Sequence, residues 1–360
     1  MTAIAGRDYV NWSFAASAAT KLVPAGPKAS RVQVKDVVSE LRRATQVAID
    51  PVAETSGLHA PPSAAPPLVV DRAGWISANV ESARGMLGPV LDAAVDRERD
   101  KRLESGKDLG APSDLANRVG GVVTGGEVAG LFAFVSTKVL GQYDLAPQGT
   151  PRLLLVAPNI LSAERELEVN PSDFRLWVCL HEETHRVQFT AVPWLREHLI
   201  ESAQSLGQGM VGGADTAQKL EAFAQGLPGV IRGEVDITTL LADDEQREQI
   251  AKVTAIMSLL EGHADVVMDE VGPAVIPSVD QIRKRFNERR KGAGSIDVIL
   301  RRLLGLDAKM KQYRDGAVFV RAVVDQIGRD DFNAIWTSSE TLPLPSEISD
   351  PAAWVRRVHG

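Results

Sequence analysis

The chain has 360 residues, enough for one large domain or two modest ones with a well-buried core. Its 44% hydrophobic and 24% charged residues are the composition of an ordinary globular protein. The formal net charge of −7 argues against nucleic acid and anionic membranes as partners, because binding to either needs a basic surface. The single cysteine, Cys179, excludes an intrachain disulfide and a four-cysteine zinc site.

The first residues lack the basic segment and unbroken apolar run of a secretion signal, and no apolar run reaches the length of a membrane span. We therefore predict a cytoplasmic protein. The proline-rich stretch 61–67 predicts an extended connector. We expect a helical or extended N-terminal segment over residues 1–70 and a main domain over residues 71–360 that forms one compact unit.

Apolar residues at helical spacing predict a long helix over residues 72–107. The glycines between residues 121 and 130 favour close helix packing over a phosphate loop, because no Gly-Lys-Ser/Thr sequence follows them. The short apolar run from Leu153 to Val156, bounded by prolines at 151 and 158, predicts a strand. We expect this strand at the edge of a small sheet.

Asn170 and Pro171 predict the start of a helix that runs through Gln188 and ends before Pro193. A later helix is expected from about residue 248 to residue 271, where a Gly-Pro pair ends it. After residue 330 the sequence predicts a proline-containing tail. The predicted fold class is therefore mainly α with a small β-sheet (α+β).

The helix that begins at residue 170 carries the sequence His-Glu-Glu-Thr-His over residues 181–185. The spacing of His181 and His185 puts both imidazoles on one face, one turn apart, where they can bind one ion. Zinc is the metal that such neutral nitrogen ligands favour. Glu182, next to the first ligand, is the candidate general base.

The alternative is a pair of well-packed core histidines without a metal. The histidines extend an apolar stripe formed by Phe174, Trp177 and Val178, so their rings are expected to face inward. Buried imidazoles need polar partners, and a metal ion is one of them.

A catalytic zinc ion needs a third protein ligand. The longer motif with a glycine and a third histidine is absent, because these positions are Gln188 and Ala191. The best candidate is Glu261, which shares a helix face with Asp265 four residues later. His263 is the rival ligand, but it lies about 200° around the helix from Glu261, so the two cannot easily face one metal.

These residues resemble the glutamate-zincins, in which a downstream helix supplies a ligand glutamate and an aspartate four residues later binds a ligand histidine. The resemblance implies that Glu261 is the third zinc ligand and that Asp265 orients a histidine, since a carboxylate fixes the histidine tautomer. The gap between His185 and Glu261 is longer than in the best-known glutamate-zincins, which weakens any transfer of the substrate pocket.

The chain as a whole is similar to a family described as zincin-like metallopeptidase type 2, which is also named for an association with deazaflavin coenzyme biosynthesis. The similarity is carried by residues 139–144, 181–185, 261–272 and 306–313. It implies a zincin-like fold for the main domain. Nothing in the sequence itself indicates a part in coenzyme synthesis.

Amide hydrolysis also needs a donor for the developing oxyanion. Tyr313 is the candidate, with a packing role as the alternative, and Tyr143 is a second candidate. The sequence thus predicts a metallopeptidase with one zinc ion (Zn2+) per chain and a peptide or small amide as substrate. A non-proteolytic zinc-binding scaffold would instead have four protein ligands. A hydrolase of small-molecule amides would have a closed pocket, whereas a groove beside a strand edge would favour peptides. The sequence does not predict the oligomeric state.

Overall fold

The structure, a computed structural model, describes residues 10–104, 125–211, 244–291 and 310–360. The α-helices in these ranges are, in chain order, α1 (Trp12–Leu22), α2 (Arg31–Ser56), α3 (Arg72–Glu104), α4 (Gly125–Ser136), α5 (Ala157–Glu166), α6 (Pro171–Thr190), α7 (Pro193–Val211), α8 (Asp244–Val275), α9 (Val279–Lys291), α10 (Met310–Ile327), α11 (Arg329–Phe332) and α12 (Pro351–His359), and two short 3-10 helices span Asn333–Trp336 and Ser339–Thr341. The strands are β1 (Leu68–Val70), β2 (Gly141–Asp144) and β3 (Arg152–Val156). Mostly helical structure with one small sheet confirms the predicted α+β class.

The three strands form one sheet in the order β1-β3-β2, in which β1 is parallel and β2 antiparallel to β3. The expected strand from Leu153 to Val156 therefore exists, but its expected position at the sheet edge is wrong. It is the central strand, and β1 and β2 lie at the edges. The reason is burial on both faces, since all four apolar residues of this run are at most 1% exposed.

The sheet separates two hydrophobic clusters. Leu155 belongs to the larger cluster, which is built from α2, α6, α8, α10 and α12. Leu154 and Val156 point the other way, into a smaller cluster with α1, α3 and α4. This alternation follows from the period of two in a strand. Because Gly141 pairs with Leu155, it lies on the face of the sheet that packs toward α6.

Helix α6 begins as predicted, because the Asn170 side chain accepts a hydrogen bond from the backbone N–H of Asp173 at 3.1 Å. It ends at Thr190, before Pro193. Helix α8 was expected to end at residue 271, but it continues to Val275 with Pro273 inside its last turn. A proline so close to the end removes few helical hydrogen bonds, and the backbone N–H of Ile276 still donates to Gly272 O at 2.8 Å.

The predicted C-terminal tail is instead partly helical. Asp350 caps α12 by accepting from the backbone N–H of Ala353, and Pro351 occupies the first helical position. Trp354 is fully buried, and its indole N–H donates to Thr341 O at 2.8 Å. A short helix was missed because its nine residues give little periodicity.

The N-terminal segment contacts the main domain through α1, α2 and β1 in the described residues. Helix α1 packs against α3 and α4, helix α2 packs against α6 and α8, and β1 completes the sheet beside β3. The division of the chain at residue 70 stays a prediction. In the described ranges, no helix is both long enough and apolar enough to cross a membrane.

Candidate metal centre

Helix α6 places His181 and His185 one turn apart on one face. Their ring centroids are 4.7 Å apart, the rings are nearly perpendicular, and their Nε2 atoms lie 3.2 Å from each other. The helix packs against α2 on one side and against α8 and the sheet on others, so its histidines lie at the junction of these elements. The two nitrogen atoms therefore converge on one point.

Helix α8 brings Glu261 to the same point. Its Oε2 atom lies 3.7 Å from His181 Nε2, and its Oε1 atom lies 3.6 Å from His185 Nε2. Each of the three side chains can offer one ligand atom within 4.8 Å of the others. The structure thus brings together the three residues that the sequence suggested as metal ligands, although 76 positions separate the second histidine from the glutamate.

The spacing and the chemistry of these atoms fit a zinc ion. Tetrahedral zinc with ligand bonds of about 2.0–2.1 Å holds its ligand atoms about 3.4 Å apart. The observed separations of 3.2, 3.6 and 3.7 Å lie on both sides of this value. Burial alone would lower the pKa of His185, but the negative charges of Glu261, Glu182 and Asp265 and the hydrogen bond with Gln188 together raise it. The same negative charge attracts a cation.

The three candidate ligands are partly open to solvent. The exposed fractions of the side chains are 22% for His181, 13% for His185 and 34% for Glu261. Over the ranges that the structure describes, no further histidine, cysteine or acidic side chain joins this group. Three protein ligands and partial exposure are typical of a catalytic zinc site, whereas structural zinc sites are closed by four protein ligands.

Glu182 is buried beside this group, with 6% of its surface exposed. The pKa of its carboxyl is raised to about 7, because burial and the negative charge of Glu261 raise it more than the positive charge of His185 lowers it. A base with a pKa near neutrality is suited to proton transfer at physiological pH.

Gly141 makes the room that the Glu182 side chain occupies. A Cβ atom at residue 141 would lie 2.6 Å from Glu182 Oε1, well inside van der Waals contact. Strand β2 can therefore approach helix α6 closely at this one position. The sequence alone does not indicate this role, because only the strand register places Gly141 opposite the helix.

Gln188, one turn after His185, is a second residue whose role was missed. Its Oε1 atom lies 2.9 Å from His185 Nδ1, and its Nε2 atom lies 3.0 Å both from Leu260 O and from His263 Nδ1. In the sequence, Gln188 indicates only that the longer zinc motif, which has a glycine at this position, is absent. The signal in the sequence that could have indicated its role is the position of this polar residue on the inward face of α6.

His263, the rival ligand, is placed away from the group formed by His181, His185 and Glu261. It is fully buried and packs against the rings of Phe332 and Trp336, with centroid distances of 5.8 and 5.2 Å. Burial, together with the positive charges of Arg329 and His185, lowers the pKa of His263 to about 3.

Asp265, Tyr313 and Tyr143 are the other residues that the sequence suggests for the site. The negative charge of Asp265 is one of the influences that raise the pKa of His185, so Asp265 lies near the group, and its role as an orienting residue stays a prediction. Tyr313 lies in the first turn of α10, but its side chain falls outside the described residues. Tyr143, on β2, stacks on Phe189 with a centroid distance of 5.2 Å.

A comparison with known protein families shows to which family the chain belongs. The model of a family described as zincin-like metallopeptidase matches residues 10–355. The chain belongs to this family. Membership confirms the resemblance predicted from the residues, and it implies a metal-dependent protein in which zinc is the usual ion. The comparison does not show the association with deazaflavin coenzyme biosynthesis for which the resembling family is also named.

A solved structure is similar to this chain over almost its full length. It is a crystal structure from Chloroflexus aurantiacus, described as that of a candidate hydrolase with a novel fold. The two chains are 28% identical, the TM-score is 0.66, and the similarity covers 97% of this chain and 98% of the other. No curated protein is significantly similar to this chain.

Proposed function

We propose that the protein is a zinc-dependent hydrolase that cleaves peptide bonds, with His181, His185 and Glu261 as metal ligands and Glu182 as general base. The observation that carries the proposal is the convergence of two Nε2 atoms and one carboxylate at separations that suit a single zinc ion. Membership of the zincin-like metallopeptidase family supports a zinc hydrolase in general.

The proposed zinc ligands and Glu182 have different roles in the hydrolysis. A zinc ion bound there would polarise a carbonyl group and lower the pKa of a coordinated water to about 7. Glu182 would accept a proton at its carboxylate, whose pKa burial raises to about 7, and would then donate that proton to the leaving amine. Its low exposure keeps bulk water away from this proton.

The position of β2 supports a peptide as the substrate. In the described part of the chain, no strand pairs with the outer edge of β2, and Gly141 on this strand adjoins the Glu182 side chain. An extended peptide can add to such an edge through backbone hydrogen bonds. This arrangement would bring a peptide bond next to the proposed base, and a small amide would gain nothing from it.

Elemental analysis of three forms of the full chain tests the metal assignment. We expect about one zinc ion per chain in the wild type and in Glu182→Gln, and much less in Glu261→Ala. A wild-type protein without zinc, even after reconstitution, would contradict the proposal and leave the histidines as packing residues.

Peptide cleavage tests the substrate class. A peptide library incubated with the zinc-loaded protein should give cleaved products, which mass spectrometry detects, and Glu182→Gln should not. Methylation of backbone nitrogens next to the cleaved bond should raise KM, because it removes N–H donors that strand addition needs. Cleavage of small amides in the absence of any peptide cleavage would overturn the peptide assignment while leaving the zinc hydrolase intact.

A further inference from the structure

The amide of Gln188 is fully buried and has a partner for each of its polar groups. Its Oε1 atom faces His185 Nδ1, and its Nε2 atom faces both Leu260 O and His263 Nδ1, all at 2.9–3.0 Å. Glutamine is seldom buried completely unless its hydrogen bonds are satisfied. Three groups from two helices therefore meet at the amide of Gln188.

The backbone carbonyl of Leu260 fixes which way this amide points. A carbonyl oxygen only accepts hydrogen bonds, so the NH2 group of Gln188 must face it. The opposite orientation would put two acceptor oxygens about 3.0 Å apart, without a hydrogen between them. The Oε1 atom must consequently face His185.

The orientation of the amide determines the tautomer of His185. Because Oε1 of Gln188 is an acceptor, the hydrogen of a neutral His185 ring must be on Nδ1. The lone pair is then on Nε2, the atom that lies 3.2 Å from His181 Nε2 and 3.6 Å from Glu261 Oε1. A histidine binds a metal in this form, and its other N–H needs an acceptor of this kind.

The same amide joins the two helices that carry the ligands. Leu260 directly precedes Glu261, so the bond from Gln188 connects α6 to α8 beside the third ligand. The second N–H of Gln188 reaches His263 Nδ1, and His263 is packed between Phe332 and Trp336. This packing holds His263 in place as an acceptor.

We infer that Gln188 is a positioning residue that holds His185 with its hydrogen on Nδ1 and its lone pair on Nε2, directed at the metal position. Leu260 and His263 set the orientation of the Gln188 amide. The inference rests on the proposed function only in that zinc is the expected ion. It gives His263, the rival ligand in the sequence, a role in supporting the amide that orients His185.

Nuclear magnetic resonance of the metal-free full chain tests the tautomer directly. Two-bond 1H–15N correlations of 15N-histidine-labelled protein at about pH 9, where imidazoles are neutral, distinguish the two tautomers. A His185→Asn variant identifies the signals of residue 185. We expect His185 to be protonated on Nδ1 and His263 on Nε2. A His185 ring protonated mainly on Nε2 would overturn the inference.

Variants at residue 188 distinguish the effect of the hydrogen-bond acceptor from the effect of side-chain packing. Gln188→Met keeps the size but removes the acceptor, so His185 should show both tautomers and zinc affinity should fall about 10- to 100-fold. Gln188→Glu keeps the acceptor, so it should retain the Nδ1–H form and bind zinc better than Gln188→Met. Thr184→Val is the matched control, because Thr184 is fully buried on the same helix and its hydroxyl donates only to Leu180 O.

Competition with a chelator measures these affinities, and Thr184→Val should stay within about 3-fold of the wild type, since it leaves the acceptor of the ligand histidine in place. Equal losses of affinity in Gln188→Met, Gln188→Glu and Thr184→Val would overturn the inference. If Gln188→Met does not fold, the tautomer of His185 in the wild type and in Gln188→Glu tests the inference on its own. A wild-type protein that binds no zinc would refute the proposed function alone, because the tautomer is measured without metal.

Discussion

Glu182 and Glu183 are neighbours on helix α6, but they contact different parts of the molecule. Glu183 is 1% exposed, and its carboxylate accepts two hydrogen bonds from the Arg186 guanidinium at 2.6 and 2.7 Å. Glu182 is also buried, but it faces Gly141 and the candidate metal ligands, and in the described ranges no arginine or lysine pairs with it.

Burial raises the pKa of both carboxyls, but the two environments differ. For Glu183, the hydrogen bonds and positive charge of Arg186 counteract part of the increase. For Glu182, the pKa reaches about 7. The difference teaches that burial alone does not identify a catalytic carboxylate. A buried carboxylate paired with arginine has its oxygen atoms occupied by that partner, whereas one next to candidate metal ligands without an arginine is available for proton transfer.

The largest expected effect is the loss of activity in Glu182→Gln. We expect kcat on a cleaved peptide to fall about 10³-fold, because general-base catalysis contributes about 10²- to 10⁴-fold. Zinc content should not change, since Glu182 is not a proposed ligand. Glu183→Gln is the matched control and should retain most of the activity per folded molecule. A Glu182→Gln variant with more than a tenth of wild-type kcat would contradict the assignment of the base.

Gly141→Ala should have the next largest effect. The new methyl group would overlap the Glu182 carboxyl and displace it, and a displacement of about 1 Å can lower the rate about 10²-fold. The control is Gly149→Ala in the same hairpin, where a Cβ would lie 3.7 Å from Ala146 Cβ, an ordinary contact. Steady-state kinetics compare the two. Equal activities would show that β2 does not constrain the base.

Arg186→Met should affect stability and leave the chemistry of the folded site intact. It leaves the buried Glu183 without its partner, so the free energy of unfolding should fall by about 3 kcal/mol. The double variant Glu183→Leu with Arg186→Met should recover most of this loss, because no unpaired charge remains. Urea unfolding measures both. A double variant as unstable as the single one would mean that packing, and not the ion pair, dominates.

The smallest expected effect concerns a paired carboxylate in the C-terminal region. Burial acts to raise the pKa of Glu347, but hydrogen bonds from Arg357 and from the backbone N–H of Leu344 outweigh it and lower the pKa. Glu347 therefore stabilises the protein above its unfolded pKa of about 4.3, and this contribution is lost as the pH falls through the folded value.

Glu347→Gln should therefore be less stable than the wild type by about 1 kcal/mol at pH 7. The difference should shrink as the pH falls below the unfolded value of about 4.3 and through the lowered folded value, because the carboxyl of the wild type then becomes protonated. Unfolding curves over this acid range and at pH 7 check this. A difference that does not change with pH would show that Glu347 contributes through its shape and not through its charge.

The part of the site that the sequence could predict depends on short-range patterns. The Asn170 cap and the spacing of His181 and His185 are local, and helix geometry follows from them directly. Glu261 could be suggested from its own helix and from the resemblance to a family. Its distance from the histidines became visible only in the structure.

Gly141 and Gln188 could not be assigned in this way, because their roles depend on contacts between distant residues. Gln188 reaches Leu260, 72 positions away, and Gly141 reaches Glu182 only through the register of β2. The edge strands have three and four residues, too few to give a periodic pattern. Without these edge strands, the apolar run that forms β3 could not be recognised as central.

The most direct test of the central claim is anomalous diffraction at the zinc absorption edge from crystals of the zinc-loaded protein. The proposal predicts one strong peak per chain about 2.0–2.2 Å from His181 Nε2, His185 Nε2 and a carboxylate oxygen of Glu261. Gln188 should remain in contact with His185 Nδ1. A peak elsewhere, a fourth protein ligand, or no peak in the presence of zinc would contradict the proposed catalytic zinc site.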